Sequence, residues 1–337
     1  MEFRTHDLEI TEALVGLRLD QALARALPQY SRARLQSWIE AGAVQVDGRK
    51  PRPRDKVQGG ERVRIEARLE PETRVAAEDM PVDVVFKDRG LFVINKPAGL
   101  VVHPGAGNAS HTLQNALLAL DPKLSLVPRA GLVHRLDKDT SGLMVVARTP
   151  EAHAALAAAI ASREVERSYL AVCVGVMTGG GTVDEPIGRH RSLRIRMAVR
   201  PDGREAVTHY RVLKRYRGHT YLRAELETGR THQIRVHLDH IGYPLVGDPV
   251  YGTRRRLPRG ADETLISALD SFKRQALHAT RLALSHPLTG RALEWEAPVP
   301  PDMAALLLAL EADAKAGGAA DAASQGPHGT RSSRRRA

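Results

Sequence analysis

The stretch His134-Arg135-Leu136-Asp137-Lys138-Asp139-Thr140-Ser141-Gly142 decides how this chain is read. It gathers two carboxylates, three basic side chains and two hydroxyls within nine residues, and the apolar run Leu143-Met144-Val145-Val146-Ala147 follows it. Three chemistries imitate such a pattern. Asp137-x-Asp139-x-Ser141-Gly142 copies the start of a calcium loop, but the twelfth position is Arg148 where a bidentate Glu is required. A kinase catalytic loop needs Asp directly after Arg, an Asn further on, a glycine-rich loop and an Asp-Phe-Gly, and the sequence has no such set. Gly105-Ala106-Gly107 follows Pro104 and lacks the third glycine of a dinucleotide loop. On spacing alone, Asp137 capping a turn before Gly142, with Arg135 as its surface partner, is the simplest reading.

Outward from this stretch the chain divides into a small module, a larger domain and a tail. Leu17, Leu19, Leu23 and Leu27 have helical spacing, and Ser31 reads as the N-cap of a second helix with Leu35, Trp38 and Ile39, closed by Gly42. Val44-Gln45-Val46, the turn pair Asp47-Gly48 and a strand near Arg62-Val63-Arg64-Ile65 complete a hairpin. Residues 1–16 read as an extension, 17–68 as the module and 69–80 as a polar linker around Pro71. The larger domain, 81–312, opens with Val82-Asp83-Val84-Val85-Phe86, the turn Asp88-Arg89-Gly90 and Leu91-Phe92-Val93-Ile94. Further strands at 143–147, 168–174, 207–213 and 221–227, with a helix at 151–162, predict an α+β fold with a mainly antiparallel, mixed sheet and flanking helices. His232-Gln233-Ile234-Arg235-Val236-His237 alternates as a strand would, and His232, His237 and His240 do not share one helical face, which argues against a metal site. Residues 313–337, rich in Ala, Gly and Ser and ending in Arg334-Arg335-Arg336, are expected to be a disordered basic tail.

With 337 residues, the chain has room for two domains. Its net charge of +11 favours an anionic partner without specifying one. The excess is concentrated: residues 185–256 carry 16 Lys/Arg against 7 Asp/Glu, a net of +9. Cys173, the one cysteine, excludes an intramolecular disulfide and a multi-cysteine zinc site, and its apolar neighbours predict a buried strand position. The charged N-terminus and the lack of an apolar run near the roughly 18 residues of a membrane span predict a soluble, cytoplasmic protein.

Two resemblances give these pieces a function. Arg18-Leu19-Asp20, Ser31-Arg32-Ala33 and Gly42-Ala43-Val44-Gln45-Val46-Asp47-Gly48 resemble the S-four (ribosomal small-subunit protein four) RNA-binding domain. It implies phosphate contacts from Arg32 and Arg34 on the first turn of the second helix. Gly131-Leu132-Val133-His134 and onward to Ala147 resembles the signature of the RluA-type pseudouridine synthases. Companion blocks follow in family order: Asn95-Lys96-Pro97-Ala98-Gly99, Arg167-Ser168-Tyr169-Leu170-Ala171, Thr228-Gly229-Arg230-Thr231-His232-Gln233-Ile234-Arg235, Gly247-Asp248-Pro249-Val250-Tyr251-Gly252 and Ala276-Leu277-His278-Ala279. The resemblance implies a cofactor-free and metal-free isomerase that detaches uracil from its ribose, turns it and rejoins it through C5. By motif match, Asp137 is the catalytic carboxylate, Arg235 the ion-pair partner that keeps it ionised, and Tyr169 the ring set against the uracil. Arg135, with His134 beside it, would fill the gap left by a flipped-out nucleotide, and Arg230 would bind RNA; Asp139 and Arg230 are also compatible with structural roles. A leading S-four module ahead of the catalytic domain implies a large-subunit rRNA stem-loop or pre-ribosomal particle as partner and a monomeric enzyme, with tRNA as the other RNA to consider. An RNA-binding assembly factor with a vestigial site is the alternative from another class.

Overall fold

The computed structural model describes residues 3–69, 75–105, 107–193, 195–252 and 257–324. In chain order the first elements are β1 (Phe3–Glu9), α1 (Leu19–Ala26), α2 (Arg32–Glu40), β2 (Val44–Val46), β3 (Arg62–Arg68), β4 (Val84–Lys87), β5 (Leu91–Lys96) and α3 (Leu113–Leu120). Next come β6 (Ser141–Ala147), α4 (Pro150–Ala161), β7 (Glu166–Val174), β8 (Gly181–Asp184), β9 (Ile187–Arg189), β10 (Met197–Val199), β11 (Val207–Arg215) and β12 (His219–Leu226). The chain continues through α5 (Gln233–His240), α6 (Glu263–Ser271), β13 (Leu277–Ser285), β14 (Ala292–Glu296) and α7 (Pro301–Ser324). Two compact units result. One runs to residue 166 and adds 281–297; the other comprises 167–280 and the chain from 298 onward.

The first unit begins with the small module. Ser31 caps α2 by accepting the Arg34 amide, and Leu19, Leu23, Leu35, Trp38, Val44 and Ile65 form its core. Asp47 and Gly48 both have positive φ (50° and 73°), the geometry a tight two-residue hairpin turn requires. Along β3 burial alternates, with Val63, Ile65 and Ala67 inward and the arginines outward. The expected extension is not separate from this module. Residues Phe3–Glu9 pair antiparallel with β3 over their whole length, giving the order β1-β3-β2. Its charged, half-exposed edge strand carries little apolar periodicity, so the sequence did not announce it. The linker assigned to residues 69–80 lies partly outside the described residues; beyond them the Ala76 carbonyl and the Glu78 amide bond to Asn115 at α3.

Behind the module, β4, β5 and β6 form an antiparallel meander, and β6 is buried along its entire length. Helix α4, capped by Thr149, covers it with Ala152 and Leu156 packed among Leu91, Val93, Val145 and Leu282. Arg148, just past β6, donates to Asp121 at 2.7 Å and stacks over Phe92, which pins the far end of the strand.

The second unit is built on β7-β12-β11-β8, all antiparallel. Ala171, Val172 and Cys173 are fully buried on β7, and burial pushes the Cys173 thiol's pKa up. Leu265 and Leu269 of α6 and Met303, Leu306 and Leu310 of α7 pack together with Leu170 and Val172. Two expectations change here. Residues 233–240 are helix α5, where alternation predicted a strand. Helix α7 continues to Ser324, so the disorder expected from residue 313 does not start there: Asp313 is 2% exposed and accepts from Arg217 at 3.0 Å. Alanine, the strongest helix former, dominates this stretch. The arginines at the end of the tail, and Ala106 of the rejected glycine loop, lie outside the described residues. Among the described residues no helix is long and apolar enough to cross a membrane.

Candidate active site

Residues 134–140 form a loop running into β6, and the first unit holds it through the end of β5. Lys96, at the end of β5, is 1% exposed and donates to the carbonyls of Pro97, Leu100 and Lys138 at 2.8, 2.9 and 2.9 Å. The Gly99 amide also donates to the Lys138 carbonyl, which thus accepts from two donors. The Thr140 amide closes the turn onto the Asp137 carbonyl. His134 is used internally: its Nε2 accepts the Val145 amide at 3.0 Å, which sets the ring against β6. Arg135 is exposed, and Asp137 and Asp139 are half-buried. Upstream, Arg129, Ala130 and Gly131 all have positive φ, a left-handed turn that reverses the chain just before the motif. Asp137 thus stands on a backbone fixed by several internal bonds.

The second unit carries Tyr169, Arg230 and Arg235. Tyr169 is buried near the start of β7. Arg235, on the first turn of α5, gives Nε and Nη2 to the two oxygens of Asp248 at 2.7 and 2.9 Å and lies over the Tyr251 ring. Burial works to raise the Asp248 carboxyl's pKa, but the Arg235 guanidinium and the amides of Val250 and Tyr251 hold it below the usual carboxylate range. The Tyr251 hydroxyl in turn accepts the Met197 amide and bonds His232 Nδ1. Buried Gln233 hangs α5 on β11. Its Nε2 donates to the Val207 carbonyl and Thr208 hydroxyl, while its Oε1 accepts the Arg230 amide and the Thr228 hydroxyl. His237 bonds Thr208 and the Glu185 carbonyl, and burial holds it below the ordinary histidine pKa. His232 and His237 are thus engaged by tyrosine, threonine and backbone. Arg230 Nε donates to the Glu205 carbonyl.

In the small module, Arg32 and Arg18 both bind fully buried Asp20, at 2.7 and 2.9 Å. Burial acts to raise the Asp20 pKa, yet the two guanidinium groups bring it below the usual value. Arg34 is buried, and its Nη1 donates to the Leu126 carbonyl, pinning α2 to the turn that follows α3.

A fold that pairs this module with this loop defines an RNA-modifying enzyme, and comparison with known proteins names the class. The RNA pseudouridylate synthase family profile matches residues 90–240, and the S4 domain profile matches residues 17–63. The chain belongs to the RNA pseudouridylate synthase family, isomerases that convert uridine in RNA to pseudouridine. It is similar to Ribosomal large subunit pseudouridine synthase D of Escherichia coli (strain K12), 55% identical over 305 residues, 90% of this chain and 94% of that protein. The protein of the same name from Xanthomonas campestris pv. campestris is 54% identical over 304 residues, covering 90% and 92% of the two chains. Among solved structures, human RNA Pseudouridylate Synthase Domain Containing 4 matches with a TM-score of 0.53 and 28% identity, over 68% of this chain and 93% of that one. Human RNA Pseudouridylate Synthase Domain Containing 1 matches with a TM-score of 0.50 and 26% identity, over 68% and 86%.

Sequence reasoning missed Lys96 and Asp248 as parts of the site's scaffold. Both stand in blocks that carried the family resemblance. A lysine just before Pro97, following the apolar run Leu91-Phe92-Val93-Ile94, was the available signal for the first.

Proposed function

We propose that the protein isomerises uridines in a stem-loop of large-subunit (23S) rRNA, free or within a pre-ribosomal particle, acting as a cytoplasmic monomer. The observation that carries this reading is Asp137, a half-buried carboxylate on a loop clamped by a buried ammonium. It stands in a chain more than half identical to large-subunit rRNA synthases over nine-tenths of its length. In this reading the C1′–N1 bond of uridine breaks, uracil turns, and a C1′–C5 bond forms; C5 loses its proton and N1 gains one, with no redox change. Asp137 provides the carboxylate at the ribose or base. Tyr169 offers its ring to the uracil, and Arg235 supplies positive charge that favours the ionised carboxylate. Arg135, exposed on the same loop as Asp137, fills the stack when the nucleotide is turned out, since a base inside a stem cannot be reached in place. His134 supports this loop through β6. Arg230, Arg32 and the basic segment 185–256 belong to the RNA-holding side of the reading, whereas Arg34, expected there too, is buried and bonded to the Leu126 carbonyl.

The test is to express the protein and Asp137→Asn in a host lacking its own enzyme and to map pseudouridine in 23S rRNA and tRNA. Modification of 23S rRNA by the parent and none by Asp137→Asn is expected. Wild-type modification by the variant overturns the catalytic assignment, and modification of tRNA alone overturns the substrate.

A further inference from the structure

Arg167 is a buried cation that the fold leaves uncompensated. It is 7% exposed, and its Nε and Nη2 are buried without a hydrogen-bond partner among the described residues. These two nitrogens form the side-on edge of a guanidinium, the fork that matches phosphate with two parallel bonds. Arg167 precedes Tyr169 by two residues on β7, so the two-residue strand period sets both side chains on one face of the sheet. The guanidinium tip lies against the loop after β12: a Cβ placed on Gly229 would stand 2.9 Å from Nη1. Gly229 is exposed and stands against the Nη1 side of the guanidinium, away from the Nε–Nη2 edge. The neighbouring polar groups are committed elsewhere, Thr228 to Val207 and Gln233, and Arg230 Nε to Glu205. A desolvated guanidinium with no acceptor is costly, and an anion arriving at that edge would offset the cost.

We propose that Arg167 is a phosphate subsite for the substrate RNA, taking one backbone phosphate next to the uridine that meets Tyr169. The inference rests on the reading of Tyr169 as the residue facing the uracil. An Asp137→Asn background keeps the RNA unreacted, and a fluorescein-labelled RNA stem-loop with a single loop uridine serves as the probe. Two further versions of the probe carry an uncharged methylphosphonate 5′ or 3′ of that uridine. Binding is followed by anisotropy over a range of salt. Adding Arg167→Met is expected to weaken binding about tenfold and to lower the salt slope by roughly 0.7–0.9, one phosphate's share. One methylphosphonate should weaken the Arg167 parent to a similar extent and the Arg167→Met protein no further. Gly229→Ala, which crowds the guanidinium from another element, should give the same pattern and carries the test if Arg167→Met does not fold. Unchanged affinity and salt slope in a folded variant, or methylphosphonates that cost parent and variant equally, overturn the subsite. Mapping of pseudouridine in rRNA by the wild type is a separate readout, so a failed subsite leaves the proposed activity standing.

Discussion

Lys96 puts an ammonium group where 1% of the residue is exposed, and it donates to the backbone carbonyls of Pro97, Leu100 and Lys138. The buried charge therefore organises the backbone around residues 97–100 and 138. Lys96→Met keeps the length of the side chain and removes the donors, leaving three carbonyls short of a partner. We expect a loss of about 3 kcal/mol in urea unfolding, and at least a tenfold fall in kcat with KM little changed. Equal kcat in a folded variant would show that the clamp is dispensable. Asp248 plays the corresponding part in the second unit. Asp248→Asn keeps the shape but takes the anion from a buried guanidinium, for which we expect about 3 kcal/mol of destabilisation together with loss of pseudouridine formation. A normal urea midpoint would contradict that. The candidate carboxylate was legible by motif, whereas Asp248 was not: nothing in the chain separation of 13 residues says that Arg235 will meet it.

At the scale of elements, the turn at residues 129–131 shows how the backbone delivers the motif. Arg129 and Ala130 hold left-handed φ values at a cost of roughly 1–2 kcal/mol each. Gly131 follows at φ 82°, and a Cβ there would lie 1.9 Å from the Ala147 carbonyl oxygen. Gly131→Ala must therefore separate this turn from β6, and we expect more than 3 kcal/mol of destabilisation, read from the thermal midpoint. A midpoint within 2 °C of the parent would refute the packing argument. Helix α2, whose buried face dictates its repeat, and β5 and β6, short apolar runs buried almost throughout, followed from the sequence. Helix α5 did not, since it is apolar and polar at alternate positions yet buries both kinds: Gln233, Arg235 and His237 are as buried as Ile234, Val236 and Leu238. Polar side chains buried in a network imitate the solvent face of a strand. The edge strand β1 failed to announce itself for the opposite reason, having almost nothing to bury.

Across the whole molecule, paired carboxylates and buried histidines act in different pH windows. His6, His103, His153, His219 and His237 all have pKa values below the ordinary 6.5, burial being the largest cause in each, and His219 is lowered to about 4. A base whose folded pKa is depressed stays neutral in the fold while the unfolded chain takes up its proton. Below about pH 6.5 the unfolded state thus binds more protons, and stability falls as pH drops. His219, 1% exposed, contributes on the order of 3 kcal/mol to that loss by pH 4. The carboxylates of Asp20, Asp88, Asp248 and Asp302 have pKa values below the ordinary 3.8, so the stability they provide is present above that value and is lost only further into acid. Urea unfolding at about pH 7.5, 6.5 and 5 separates the two sets, because the unfolded chain protonates these histidines over that range while these four carboxylates, held below 3.8, stay ionised. We expect the midpoint to fall from pH 6.5 to 5 with an unchanged m-value, and His219→Leu to flatten the slope by nearly one proton. A parent midpoint independent of pH over this range would mean that these imidazoles open to water and charge within the fold.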